Sequence, residues 1–508
     1  MAKLTKIDSN VTGLRYCEED SYKTVSGDEV WYPLEPNSYS DFGGQVTTVA
    51  RNPINPSRQR KKGVVTDLDA SGGFETDITQ INLQDILQGF FFADLRLKAE
   101  VGTITNVDGT GNDYEAASGL DVYAAGDLVF ASGFTNSENN GLKTVTAAAA
   151  ASLTVSETIV DETPPAAAKL VLVGVVGTAG DIDVDASGSR PKLTSSTLDF
   201  TDYLTVPGEW IYIGGDGAGE SFSNAENNGF ARVFSISANE LVLDKTEDTM
   251  VTEASTTETI HLYFGRVLKN ETGTLIKRRT YQLERTLGAP DDASPTEVQA
   301  EYIVGAVPSE FEFNIPTADK AMANLTFVGA DNETIDGPTS LKAGTRPDLV
   351  EADAFNTSSN VPRIKLAVYS DADSAPDPLF AFVTDITLSI NNNVTPNKAI
   401  GQLGAFEVTA GTFEVSGELT AYFADTAGID AVRANSDVTL DMHLVKDNAG
   451  ISLDVPLITL GDGRPNVAQD EPITLPLQTD AATGAKIDSS LDHTLLMVFW
   501  DYLPTAAE

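Results

Sequence analysis

The side chains of this 508-residue chain that could carry chemistry are few in kind: three histidines, one cysteine and 75 carboxylates. His261, His443 and His493 lie in separate stretches of strand character. None has a second ligand-type residue at metal-binding spacing, so the plain reading is surface or satisfied core positions. Cys17 stands alone, which removes intramolecular disulfides and cysteine-based zinc sites. Asp181-Ile-Asp-Val-Asp opens like a calcium loop, yet Ala186 and Lys192 stand where that loop needs glycine and glutamate. No glycine-rich phosphate loop precedes a helix, and no Gly-x-Ser-x-Gly elbow seats a nucleophile. Asp371-Ala-Asp-Ser-Ala-Pro-Asp reads as a solvated turn. The expectation is therefore no catalytic residue, no metal, no cofactor and no enzyme.

Carboxylates can still act together. Against 33 basic side chains they leave a formal net charge of -42. That balance argues against gripping nucleic acid through phosphates, which needs a basic footprint. Solubility or adaptation to salt would account for it, and so would a surface that must repel a polyanion. Against this background the run Asn52-Pro-Ile-Asn-Pro-Ser-Arg-Gln-Arg-Lys-Lys-Gly63 stands out. Its prolines and glycine break regular structure, so it is an exposed loop or hairpin tip between two strands. Arg51, Arg58, Arg60, Lys61 and Lys62 there are candidates for docking on the acidic surface of a neighbouring copy; a solvated loop or a polyanion patch are the other readings.

The elements that position these groups are mostly strands. Thr412 to Phe423 alternates, with Phe413, Val415, Leu419, Ala421 and Phe423 on one face and Glu414, Ser416, Glu418, Thr420 and Tyr422 on the other. Period two marks a half-buried strand with a wet face. Further strands are expected at 43–51, from Val64, at 274–285 (one long strand or a strand pair), 302–315, 321–329, 364–369, 380–390, 438–445, 451–460, 473–477 and 495–500. Two short helices are expected, one capped by Asn82 with Leu83, Ile86, Leu87 and Phe90 on a stripe, the other from Thr426 to Asn435. No stretch is apolar enough for a membrane span, and Met-Ala-Lys-Leu-Thr-Lys-Ile-Asp lacks an apolar leader core, so folding in a cytoplasm is expected.

Residues 96–268 differ in texture and contain an internal repeat. Phe134-Thr-Asn-Ser-Glu-Asn-Asn-Gly141 recurs 88 positions later as Phe222-Ser-Asn-Ala-Glu-Asn-Asn-Gly229. Asn139, Asn140 and Gly141, with Asn227, Asn228 and Gly229, read as turns whose residue types tolerate positive φ, a geometric rather than a ligand-binding reason for the repeat. Two small, barrel-like β-modules are expected, at 96–178 and 179–268.

The remaining stretches, 1–95 and 269–508, resemble the major tail tube protein of long-tailed bacteriophages with non-contractile tails. The resemblance rests on Val11-Thr-Gly-Leu-Arg-Tyr-Cys-Glu-Glu, Tyr281-Gln-Leu-Glu-Arg-Thr and Gly305-Ala-Val-Pro-Ser-Glu-Phe-Glu-Phe. It continues through Thr384-Asp-Ile-Thr-Leu-Ser-Ile-Asn-Asn-Asn, Gly404-Ala-Phe-Glu-Val-Thr-Ala-Gly-Thr-Phe, Ile451-Ser-Leu-Asp-Val-Pro-Leu-Ile-Thr-Leu and the closing strand. It implies a mostly-β fold: a tail-tube β-sandwich in two parts with a flanking α-helix, its inner sheet joining a ring-wide β-barrel. An N-terminal arm and a hairpin would bridge subunits. Partners would be other copies, stacked as rings expected to hold six chains, with the tape measure inside during assembly and terminator and tip proteins at the ends. Double-stranded DNA would pass without binding, no membrane is engaged, and the site is a virion tail assembled in a host cytoplasm. On that reading Glu310, Glu312, Asp385, Glu414, Glu418 and Asp441 are candidate lumen-lining acids. The rival is a modular bacterial surface or adhesive β-protein, which would require export.

Overall fold

The computed structural model describes residues 7, 12–54, 56–204, 206–288, 298–337 and 339–508. Val11 and most of the expected N-terminal arm lie outside them. The fold is mostly β, with two α-helices among the described residues, α1 (Gln84–Phe91) and α2 (Ala427–Ala434). Two compact units divide the chain.

The first unit comprises residues up to Ala93, Thr272–Thr357 and Thr384–Leu419. Its centre is an antiparallel run of strands in the order Pro36–Arg51, Lys61–Asp77, Met322–Gly329, Gln299–Pro316, Val383–Asn391, Glu414–Tyr422. Register aligns Phe74, Leu325, Phe311 and Ile390 across four of them, all buried. Helix α1 covers this apolar face, with the Phe90 ring 5.7 Å from Phe311 and 5.2 Å from Phe327. Leu83, Ile86, Leu87 and Phe90 are buried, as their spacing predicts. Asn82 does not cap the helix. Leu83 holds that position, and the Asn82 side chain instead accepts from Thr79 N and donates to Asp77 O, bracing the loop that leads in. Gly89 lets the helix seat closely, since a Cβ there would stand 2.5 Å from the Tyr281 ring. The strand expected over 274–285 forms only from Tyr281 to Gly288; residues 272–278 are exposed and have no apolar face covered by a neighbour.

The second unit comprises Asp94–Glu271, Ser358–Val383 and Thr420–Glu508. Both copies of the repeat share one 13-stranded antiparallel sheet. At its middle the equivalent strands Lys169–Val176 and His261–Phe264 pair, Val175 opposite Leu262. Outward on one side come Asp127–Ser132, Gly141–Ala149, Ser152–Val155, Asp113–Ala116 and Ile104–Asp108. On the other side Trp210–Ile213, Gly229–Ser237, Glu240–Lys245, Lys192–Thr194 and Asp183–Asp185 repeat that order. Antiparallel pairing of equivalent strands is what a local twofold axis demands. The C-terminal strands Val438–Lys446, Ala449–Asp462 and Leu496–Trp500 pair in the same unit, Arg266–Lys269 adding to the last. Helix α2 lies within the expected bounds, Thr426 preceding it and Asn435 ending it in the left-handed region at φ 48°. Its buried residues are Gly428 and Ala431, while Ile429 and Val432 are half-buried.

Candidate functional site

One face of the first unit's sheet is apolar and covered by α1; the other is wet. Alternation along Gln299–Pro316 buries Phe311, Phe313 and Ile315 and turns Glu310, Glu312 and Asn314 the other way. Register then builds rows on the wet face: Gly73, Thr326, Glu310 and Asn391, and beside them Glu75, Asn324, Glu312 and Ser389. Asp385 lies farther along the same face, opposite Pro316. Glu414, Ser416 and Glu418 are exposed on the next strand, whose Val415 and Leu419 are buried on the opposite face. None of these positions holds lysine or arginine. Partial burial, and then the neighbouring Glu418 carboxylate, raises the Asp385 pKa above the ordinary aspartate value. Five of the six expected lining acids thus share this face. Glu75 joins them, and was missed because only the register with Asn324 reveals its side.

Asp441 does not belong there. It is 1% exposed in the second unit, directly opposite Asp454 across the strand pair. Like charges so placed repel, and cations answer them. Lys245 Nζ lies 3.2 Å from Asp441 and 3.4 Å from Asp454. Arg363 Nε donates to Asp441 at 2.5 Å, and Arg232 forks onto Asp244 at 2.9 and 2.7 Å. Although burial pushes the Asp441 pKa up, Arg363 and Lys245 outweigh it and hold the carboxyl at about 2. Period two correctly gives Asp441 a face, but that face is a buried ionic core.

The basic run forms the tip of a hairpin whose strands, Pro36–Arg51 and Lys61–Asp77, pair from Pro36 opposite Thr76 out to Arg51 opposite Lys61. Arg51, Arg58, Arg60, Lys61 and Lys62 are all exposed, as are Val46, Val49, Val64 and Val65. A two-stranded ribbon bare on both faces is marginal alone in water and gains stability by packing on something else.

The repeat turns are structural. Gly141 and Gly229 take φ 92° and 107°, but the asparagines do not use positive φ; Asn140 and Asn228 are extended, at -96° and -110°. Their side chains supply hydrogen bonds instead. Asn140 accepts from Phe134 N at 3.0 Å, and Asn228 from Phe222 N at 2.9 Å. Asn139 and Asn227, both buried, each donate to a glutamate, Glu162 at 2.8 Å and Glu253 at 2.7 Å. Those glutamates also accept from backbone at Asn136 and Asn224. Their offset differs from that of the repeat, which hides the correspondence in sequence.

The acids of the calcium-like stretch are occupied within the protein. Asp181 accepts from Ser196 N at 2.9 Å and Thr197 Oγ1 at 2.8 Å, and Asp183 from Ser255 N at 2.9 Å. His261, His443 and His493 are all buried, and among the described residues no cluster of ligand-type side chains suits a metal ion.

Residues 9–481 match the family model described as phage tail tube protein. The chain belongs to the phage tail tube protein family. Its role is thereby structural, its location the virion tail, and its working state a self-assembly with other tail proteins. Comparison with curated proteins finds no match. Among solved structures, a phage phi92 endosialidase is similar at 10% identity over 90% of this tail tube chain and 71% of its own, with a TM-score of 0.15. That likeness is too low to bear on the tail tube protein's fold or activity.

Proposed function

We propose that this chain is the tube protein of a long-tailed phage with a non-contractile tail. Six copies close into a ring by continuing the first unit's sheet into a shared barrel, and rings stack into a conduit for double-stranded DNA. The observation that carries this reading is the wet sheet face bearing Glu75, Glu310, Glu312, Asp385, Glu414 and Glu418 with no cation among its rows. Facing a lumen, such a wall repels phosphates, whereas lysines would exchange for the duplex's counterions and hold it. The repeat modules stand at the tube's outer surface, since about 170 additional residues per copy do not fit a narrow bore, at roughly a cubic nanometre for each seven or eight close-packed residues. The tape measure protein occupies the lumen during assembly, and terminator and tip proteins close the ends. Assembly takes place in the host cytoplasm.

The test is a phage carrying Glu310→Lys, Glu312→Lys, Glu414→Lys and Glu418→Lys. Tubes of normal diameter with slowed or blocked DNA ejection are expected. Normal ejection kinetics would remove the lining role, and a ring of three chains by electron microscopy would remove the sixfold arrangement.

A further inference from the structure

The first unit carries a second feature that the lumen reading does not use. A cavity of about 280 Å³ opens at the base of the hairpin, beside Leu34 and Thr79 at the end remote from the tip, and Tyr16, Leu34, Ile81 and Leu349 line it. Three acids, Glu35, Asp85 and Asp348, line it too. Ile81 and Leu349 remain 46% and 39% exposed, so the floor is an uncovered apolar surface beside negative charge. At the other end of the hairpin the signs are reversed. Ile54 is fully exposed, flanked by the tip's arginines and lysines.

We propose that this cavity is the receptor for the hairpin tip of a second copy of this chain, Ile54 entering the apolar floor and the basic tip residues meeting Glu35, Asp85 and Asp348. This rests on the tube reading and names the contact that would join successive rings. Three observations select this occupant. Charge is complementary, in a chain whose net charge of -42 makes a basic apolar tip rare on its own surface. The apolar surfaces match in kind, a lone aliphatic side chain against a small pocket. Geometry forbids the contact within one chain: the Pro36–Arg51 strand has 16 residues, so its paired length holds tip and base up to about 50 Å apart. A patch at one end that fits a different patch at the other is a heterologous contact, and repeating it without closure generates a filament. The hairpin would then set the axial repeat as well as joining the rings.

The test uses the full chain in two variants, Ile54→Cys and Leu349→Cys. Native Cys17 is buried and its thiol is pushed up to about 12, so it stays silent. Mixed and assembled under mild oxidation, the two variants should give a disulfide-linked dimer in which each contributes one chain; the double variant should give a ladder of oligomers. A second arm needs no cysteine. Arg58→Glu with Arg60→Glu should abolish assembly, and chains bearing Asp85→Lys with Asp348→Lys should restore it when mixed in. If the unmodified chain assembles into tubes but neither cross-link nor rescue appears, the receptor assignment is wrong while the tube reading stands. If the unmodified chain never forms tubes, both fail.

Discussion

Arg232 and Asp454 meet in the interior of the second unit, 222 positions apart in sequence, with Arg232 Nη1 3.1 and 3.0 Å from the two carboxylate oxygens. Both side chains are 0% exposed. One comes from the second repeat copy and the other from a C-terminal strand, so the repeat supplies charge that the strand pair needs.

Breaking this group should be costly because it strands a buried charge. Arg232→Met is expected to lower stability by about 3–5 kcal/mol, read as a shift of the urea midpoint of soluble monomer. Replacing Asp244 and Asp454 by leucine in the same chain should recover most of it, since an apolar substitute for a buried ion group is often neutral or better. Deleting residues 96–268 should leave Asp441 facing Asp454 without Arg232 or Lys245 and so abolish folding of the C-terminal strands, measured by circular dichroism of the purified product.

The two repeat turns should fail equally. Asn139→Ala and Asn227→Ala each remove a buried amide that serves a glutamate and a backbone group, Val160 N at 2.9 Å in one copy and Val251 N at 2.9 Å in the other. A loss of about 1–3 kcal/mol is expected from each. Thermal melts that differ strongly between the two would contradict their equivalence.

Acid should weaken the second unit before Asp441 and Asp454 titrate, since their cation partners hold both carboxyls below the ordinary aspartate value. Burial, and then the Arg363 charge, depresses the His443 pKa to about 3, while its Nδ1 lies 2.6 Å from Ser452 Oγ and its ring stacks 4.0 Å from Phe230. The folded state therefore binds fewer protons than the unfolded chain between pH 6.5 and about 3. Stability falls as pH drops through that window, by at most about 1.4 kcal/mol per pH unit for this one group. Asp441 works at lower pH: its depressed value means that its contribution is present above the unfolded pKa and is lost only as pH falls toward about 2. Urea midpoints at pH 7 and pH 5 should separate clearly, and His443→Gln should narrow the gap.

The arm can be tested without reference to its receptor. Replacing residues 46–65 by a short turn should leave the monomer folded, since the described residues of the removed ribbon are exposed except Gly63, which is half-buried. The shortened chain should stay monomeric at concentrations where the intact chain sediments as polymer.

Much of the fold was legible because its signals are local. Alternation at Thr412–Phe423 and in Gln299–Pro316 placed each carboxylate on a face, and the apolar stripe of α1 named its buried side before any contact was known. The basic tip showed itself as a cluster of like charge between turn residues, and the repeat by simple identity. Turn chemistry was half legible: the glycines at 141 and 229 do need positive φ, whereas the asparagines act through side-chain amides on partners tens of residues away.

Sequence alone thus determined a mostly-β chain without a recognisable catalytic motif, its acidity, its repeat and its family resemblance, since composition and period are properties of neighbouring residues. Which wet face a carboxylate occupies is a property of register and of what packs above it. Glu75 and Glu312 share a row only because Asn324 pairs between their strands, and Asp441 is buried only because Lys245 and Arg363 reach it from distant segments. Tertiary structure decided both, because burial and ion pairing at these positions depend on strands that the chain brings together from far apart.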